Sequence, residues 1–221
     1  MGSFGRCVLI WCIWFNIYLD IIIICSKIPT AMQRVTFDLD NVIFDMKPLY
    51  MRAFDMCGEV YFKSTDWNLS GCHSEKMVET LRDLFGHDML YTMPVLDPGM
   101  PDILNNLMQR SDLEILFVTE RKYKQPEKTF NQLREAGINC YFEQVYDKPG
   151  KKSDILKELN PYVHFDDSPY VVSGCLEKNI PIVMISNNAT LYNHYLRSQV
   201  RHYNSLRRAL RACGIYNPRA K

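Results

Sequence analysis

The chain has 221 residues, 47% hydrophobic and 23% charged, with a formal net charge of +1. That length suits one substantial domain with an insertion, or two small ones, and the composition is that of an ordinary globular protein. So small a net charge gives no global field that would favour nucleic acid or a membrane surface. Three of the eight cysteines (Cys7, Cys12, Cys25) fall in the first 31 residues, and the other five (Cys57, Cys72, Cys140, Cys175, Cys213) are widely spaced with no CxxC pair. The pattern points to reduced thiols in a cytosol rather than a disulfide framework or a zinc site. The five histidines are scattered too, and His164, inside an apolar run, reads as a packed core residue.

Residues 1–31 form an apolar extension. The stretch from Cys7 to Cys25, flanked by Arg6 and Lys27, has about the length of a short membrane-spanning helix. Asp20 would cost about 2.5–3.5 kcal/mol near a bilayer centre, and no small-residue cleavage pattern follows. The preferred expectation is that Met32, just before the first core strand, is the true start. A membrane anchor over 7–25 and a buried helix are the alternatives.

From Val35 onward, short apolar runs alternate with amphipathic stretches. The runs at 35–37, 114–118, 162–165 and 182–185 predict parallel strands covered on both faces. The first is followed by about 70 residues before the second, more than a crossover helix requires. Residues 45–97 therefore read as an inserted, mostly helical subdomain, with helices predicted over 48–57 and 74–85. Its aromatics (Tyr50, Phe54, Tyr61, Phe62, Trp67, Tyr91) would mostly form its own small core. Further helices are predicted over 100–110, over 126–136 before the stop signal Gly137, over 153–159 with Ser153 as the capping residue, and over 171–178. A last helix is expected over 200–213, with Val200, Tyr203, Leu206, Leu210 and Cys213 on one face and Arg201, Arg207, Arg208 and Arg211 largely away from it. The four arginines read better as a solvated face than as phosphate contacts. The β-α-β-α order predicts an α/β fold, a doubly wound parallel sheet with right-handed crossovers.

In open parallel sheets, ligands bind beyond the carboxyl ends of the strands. The polar residues that fall there are Asp38 and Asp40, Thr119 and Glu120, Asp166 and Asp167, and Ser186 and Asn187. Taken singly, each is better explained as a turn, a cap or a β-former. Together, four carboxylates at two strand ends would repel one another without a cation, which predicts an Mg²⁺-dependent phosphate site. In that reading Asp38 attacks phosphorus and forms an aspartyl-phosphate, while Asp40 protonates the leaving oxygen and then takes a proton from water. The expected metal ligands are Asp38, the Asp40 backbone carbonyl and Asp167, with Asp166 in the same cluster and holding a lysine. Thr119 would bind the non-bridging oxygens, and Lys152 would neutralise developing charge. Lys151 and Lys148 are alternatives for that lysine.

This constellation resembles the haloacid dehalogenase-like hydrolase superfamily (HAD). Its four motifs are matched by Asp38-Leu39-Asp40-Asn41-Val42, Phe117-Val118-Thr119, Lys152 and Phe165-Asp166-Asp167. The resemblance implies a HAD-like, Rossmannoid core over 32–44 and 98–221, with a small C1-type cap over 45–97. Asp40 argues for its phosphatase branches. Met93-Pro94-Val95-Leu96-Asp97-Pro98-Gly99-Met100, the Asp166-Asp167-Ser168-Pro169 run and Leu191-Tyr192-Asn193 are similar to the 5'(3')-deoxyribonucleotidase-like branch, over about residues 33–210. A departure is Glu120-Arg121 after the second motif, where Arg121 could add a phosphate contact or Glu120 alter substrate choice.

The resulting expectation is an Mg²⁺-dependent phosphomonoesterase of the 5'-nucleotidase kind, with Thr119, Glu120, Arg121 and Lys152 binding a small phosphate monoester, in first place a nucleotide. Phe54, Tyr61 or Trp67 could stack on the base. A phosphatase of another small metabolite such as a sugar phosphate, a nucleic-acid end-processing phosphatase and a non-catalytic binding module are the rivals. No stable nucleic-acid partner is expected, a homodimer is compatible with the sequence, and the expected location is cytoplasmic unless residues 7–25 tether the chain to a membrane.

Overall fold

The apolar runs assemble into one parallel sheet in the structure, a computed structural model that describes residues 32–60, 73–121, 125–147, 150–186 and 200–218. Strand β1 (Gln33–Phe37) leads into an inserted segment with helices α1 (Lys47–Cys57) and α2 (Glu75–Leu84) and a 3₁₀ turn (Asp88–Thr92). Then follow α3 (Met100–Met108), β2 (Leu113–Val118), α4 (Pro126–Glu135) and β3 (Val145–Tyr146). After these come α5 (Lys152–Leu159), β4 (Val163–Asp166), α6 (Pro169–Glu177), β5 (Ile182–Ile185), β6 (Arg201–Tyr203) and α7 (Leu206–Ala212). The sheet order is β3-β2-β1-β4-β5-β6, and every pairing is parallel. The order reverses between β1 and β4, where an open sheet leaves a crevice beyond its strand ends. The doubly wound parallel α/β class predicted from the sequence is the class observed.

Local chemistry explains the helix starts. Proline stands in the first turn of α1, α3, α4 and α6, where its missing N–H costs nothing. Ser74, Ser168 and Ser205 cap α2, α6 and α7 by accepting backbone N–H bonds. One expected cap is displaced: α5 starts at Lys152, Lys151 holds the cap position, and Ser153 is the second helical residue. Ser153 instead accepts a bond from Lys178 at 2.9 Å. There a Cβ on Gly174 would come within 3.0 Å of the Ser153 hydroxyl, so Gly174 is what lets α6 lie close to α5.

The largest departure from the sequence reading is the end of the chain. The single helix expected over 200–213 is a strand followed by a shorter helix. Residues 201–203 pair with 183–185 of β5, and Ser205 then caps α7 by accepting from the Arg208 amide. The predicted helical face dissolves accordingly: Arg201 is exposed on β6, and Leu206, Ala209 and Leu210 form the buried side of α7. Nor do the arginines form one solvated row, because Arg207 grips Asp97 with two bonds of 2.7 Å. Strand β3 was also not foreseen; at two residues it is too short for periodicity to register.

The three central strands meet through aromatic rings. Phe37 stacks on Phe165 at 5.3 Å and tilts against Phe117 at 6.2 Å, all three fully buried. In the inserted segment, Tyr50 and Phe54 of α1 are buried as well, and Phe54 meets His73 edge-on at 5.1 Å. Phe54 is 1% exposed, so its ring has no open face for a nucleobase, against the expectation for that residue. The other two stacking candidates, Tyr61 and Trp67, lie outside the described residues, as do Phe62, the Leu191-Tyr192-Asn193 run and the apolar stretch 7–25. Among the described residues, no helix is long and apolar enough to cross a membrane.

Phe37 directly precedes Asp38, so its packing fixes the strand end. Phe37→Ala is expected to cost about 3–5 kcal/mol of stability, read as a lower urea midpoint with the slope of the transition unchanged.

Candidate active site

The sheet register builds the site. Phe37 pairs with Phe165 across β1 and β4, and the Asp38 amide donates to the Phe165 carbonyl at 2.8 Å. Asp38 and Asp166 are therefore neighbours on adjacent strands. On the other side Phe37 pairs with Phe117 of β2, which brings Thr119 to the same edge of the sheet. Thr119 is 2% exposed, and its amide bonds to the Tyr146 carbonyl of β3.

Lys152, the first residue of α5, closes the arrangement. Its ammonium donates to Asp38 Oδ1 at 2.6 Å and to Asp166 Oδ2 at 2.9 Å, and the lysine is 4% exposed. Of the two candidate lysines among the described residues, Lys152 is thus the one in contact with both carboxylates. Lys151 is exposed at the cap position, and Lys148 lies outside the described residues. Burial alone would lower the Lys152 pKa, but attraction to Asp166 and Asp38 overrides it and drives it upward, so the side chain stays an ammonium. Asp166 resolves the other way from its burial: attraction to Lys152 and a bond from His164 pull it down to about 2. Burial pushes Asp38 up to about 7, because Lys152 only partly offsets the desolvation and the repulsion from Asp166 and Asp40.

Three further residues orient these groups, and the sequence reading assigned none of them such a role. His164 is fully buried, as expected of a core residue, yet it is also bonded to Asp166 Oδ2 at 2.9 Å and to the Thr36 hydroxyl at 2.9 Å. Burial lowers its pKa, and a neutral ring between these partners donates from Nε2 to Asp166 and accepts at Nδ1 from Thr36. Ser168 donates its amide to Asp166 Oδ1 at 2.8 Å. Asn41 adopts a left-handed φ of 59° in the turn after Asp40, a conformation asparagine tolerates. From there its amide nitrogen donates to Asp167 Oδ2 at 3.0 Å and to the Tyr50 hydroxyl of α1 at 2.8 Å. The only signal for His164 was its spacing of two before Asp166, which places both side chains on the same face of β4.

Asp38, Asp166 and Asp167 each offer a carboxylate oxygen within 4.8 Å of the others, all three buried. Asp166 already accepts from Lys152, His164 and the Ser168 amide, which leaves Asp38 and Asp167 as the better cation ligands. The oxygen-only donor set and the upward push on Asp38 fit a hard divalent cation. Asp40 does not turn its carboxylate to this cluster. It pairs with Arg121, so only its backbone carbonyl could serve a cation. Arg121, expected at a phosphate, is 3% exposed and engaged with Asp40. Glu120 is exposed and shares with Lys151, Lys152, Tyr170 and Lys178 a cavity of about 220 Å³ on the α5–α6 side. At the last expected strand end, the Ser186 amide bonds to the Tyr203 carbonyl, and Asn187 lies outside the described residues.

Comparison with known proteins yields a fold. No protein-family model matches the chain, and no curated protein matches it. Among solved structures it is similar to a haloacid dehalogenase-like family hydrolase from Streptococcus pneumoniae, at 16% identity and a TM-score of 0.56 over 82% of this chain and 98% of that one. It is similar to a predicted phosphatase from Clostridium acetobutylicum at 16% identity and a TM-score of 0.56, over 84% and 100% of the two chains. A HAD family hydrolase from Deinococcus radiodurans R1, with bound phosphate and sodium, matches at 16% identity and a TM-score of 0.54 over 86% and 99%. At these identities the likeness is one of fold: a parallel α/β sheet with flanking helices that this chain shares with those structures.

The Asp38 shift has a measurable consequence. A carboxyl raised from 3.8 to about 7 holds its proton more tightly in the fold than in the unfolded chain, so the metal-free fold loses stability as pH rises from about 4 to about 7. A cation must displace that proton below about pH 7. Titration calorimetry with Mg²⁺ should therefore show affinity falling toward tenfold per pH unit below about 7 and levelling off above it.

Proposed function

We propose that this chain is an Mg²⁺-dependent phosphomonoesterase that works through an aspartyl-phosphate on Asp38, with a nucleoside monophosphate as its substrate. The observation that carries the reading is the buried Lys152 ammonium held between Asp38 and Asp166, with Asp167 beside them at the carboxyl edge of the sheet. An ion pair kept only for stability would gain little from a third buried carboxylate, because uncompensated charge is costly. A site that receives a cation and a phosphate dianion needs that surplus.

Each residue's part follows from its position. Asp38 lies at the end of β1 as the nucleophile. Lys152, kept positive by its two carboxylates, neutralises charge that grows on the phosphoryl oxygens, and the Thr119 hydroxyl on the neighbouring strand binds one of those oxygens. Asp40 protonates the departing oxygen and then accepts a proton from the water that hydrolyses the aspartyl-phosphate. A divalent cation held by Asp38 and Asp167 would let a dianion approach a carboxylate nucleophile. Asp166 keeps Lys152 in place, and residues 45–97 act as a cap beside the strand ends.

The likeness to phosphatase and HAD folds supports the phosphatase chemistry. The nucleotide assignment rests on the resemblance of residues 93–100 and 166–169 to the deoxyribonucleotidase-like branch. Phosphate release should be measured from ribo- and deoxyribonucleoside monophosphates and sugar phosphates, with Mg²⁺ and with chelator, and with Asp38→Asn as control. Metal-dependent release from nucleotides, reduced at least about a thousandfold in the variant, is the expected result. Release from sugar phosphates alone would retain the chemistry and replace the substrate. A folded protein that releases phosphate from nothing would sink the reading.

A further inference from the structure

Arg121 has no part in the mechanism above, yet it is the most completely engaged cation in the described residues. Its side chain is 1% exposed. Nη2 donates to Asp40 Oδ1 at 2.6 Å and Nε to Asp40 Oδ2 at 3.2 Å, a two-pronged grip on one carboxylate. Nη1 donates to Gln132 Oε1 at 2.9 Å and lies 3.4 Å from the Thr129 hydroxyl, and the guanidinium carbon lies 5.2 Å from the centre of the Tyr91 ring.

The seat is itself braced. Thr129 donates its hydroxyl to the buried Asp147 at 3.1 Å, and Gln132 donates its amide to the Leu90 carbonyl at 3.1 Å. Lys128 holds Asp88 at 2.5 Å, and its ammonium lies 5.7 Å from the centre of the Tyr91 ring. Two elements therefore build the seat: α4 supplies Thr129 and Gln132, and the 3₁₀ turn of the inserted segment supplies Leu90 and Tyr91. A planar guanidinium can hold a carboxylate at two points and fix its orientation, which a lysine cannot.

Resting on the phosphatase reading, we propose that Arg121 is a positioning residue: it fixes the Asp40 carboxylate for proton transfer to the leaving oxygen and from water, and does not bind the substrate phosphate. Every nitrogen of the guanidinium already has a partner and the side chain is sealed from solvent, so at most one Nη2 hydrogen is left for any further contact. Its charge is also balanced by Asp40, so it offers little attraction to an incoming dianion. Misplacing a proton-transfer group by about 1 Å can cost about a hundredfold in rate, which is the scale such a residue would control.

The test is a double-mutant cycle in the full chain, using the best substrate from the phosphate-release panel. Asp40→Asn and Arg121→Gln are each expected to lower kcat, the latter by about tenfold to a hundredfold, with KM within about twofold. The combined variant should be no slower than Asp40→Asn alone, because the arginine acts through the aspartate. Effects that multiply, or an Arg121→Gln variant that raises KM at unchanged kcat, would make Arg121 a phosphate ligand and overturn the proposal. Unchanged kcat and KM would overturn it too. Should Arg121→Gln fail to fold, Arg121→Lys keeps a cation beside Asp40 and carries the same test, because losing the second prong should still lower kcat at constant KM. A wild-type chain inactive on every phosphate ester would remove the phosphatase reading and this inference together, an outcome distinct from an active enzyme that ignores Arg121.

Discussion

Everything at the carboxyl edge of this sheet depends on keeping one ammonium ion buried. Lys152 is almost sealed from water and touches two carboxylates from adjacent strands. Taking an ammonium out of water costs several kcal/mol after relaxation, so it survives as a cation only because β1 and β4 deliver acceptors on two sides. That requirement constrains the fold. The strands must be neighbours, in the register that aligns Phe37 with Phe165, and α5 must begin where its first side chain reaches between them. The strand order with its reversal at β1 and β4 meets these conditions.

Charge is then left over. The site gathers four carboxylates, Asp38, Asp40, Asp166 and Asp167, against two cationic side chains, Lys152 and Arg121. The two uncompensated negative charges equal the charge of one divalent cation. The strain of the surplus falls on Asp38, the carboxyl pushed upward, whereas Asp166 is pulled down by its lysine and histidine. The proposed nucleophile and the carboxylate that holds the lysine are thereby separated by their surroundings, although both are aspartates at the end of buried strands.

How much of this was legible in the sequence depended on how local each feature is. The strands at β1, β2, β4 and β5 announced themselves as near-continuous apolar runs, and the six principal helices through proline, serine and glycine signals at their ends. Strand β6 did not, because Arg201-His202-Tyr203 has no apolar run and its periodicity merges with the helix after it; only pairing with β5 makes it a strand. The aspartates were legible because each sits at a strand end. Of their partners, the sequence named only Lys152, beside Asp166. The contact of Lys152 with Asp38 spans 114 positions and that of Arg121 with Asp40 spans 81. Composition names such side chains but cannot say which carboxylate each will meet. His164 shows the same limit, since an apolar neighbourhood identified its burial but not the hydrogen bonds that make burial tolerable.

The inserted segment is therefore more than an appendage beside the strand ends. Tyr50 on α1 accepts from Asn41, whose other amide hydrogen goes to Asp167, a candidate cation ligand. At the other end of the segment, the Leu90 carbonyl anchors Gln132, and Tyr91 faces the guanidinium that grips Asp40. Two of the four site carboxylates are thus oriented through one intermediate side chain by residues inserted between β1 and α3, while the Asp38–Lys152–Asp166 chain is held by the sheet, α5 and the Ser168 amide that opens α6. A change within the segment would reach the two groups at the margin of the site and leave the buried ion chain in place. The arrangement assigns durability to the buried ion chain and adjustability to Asp40 and Asp167, the groups proposed for proton transfer and, with Asp38, for the cation.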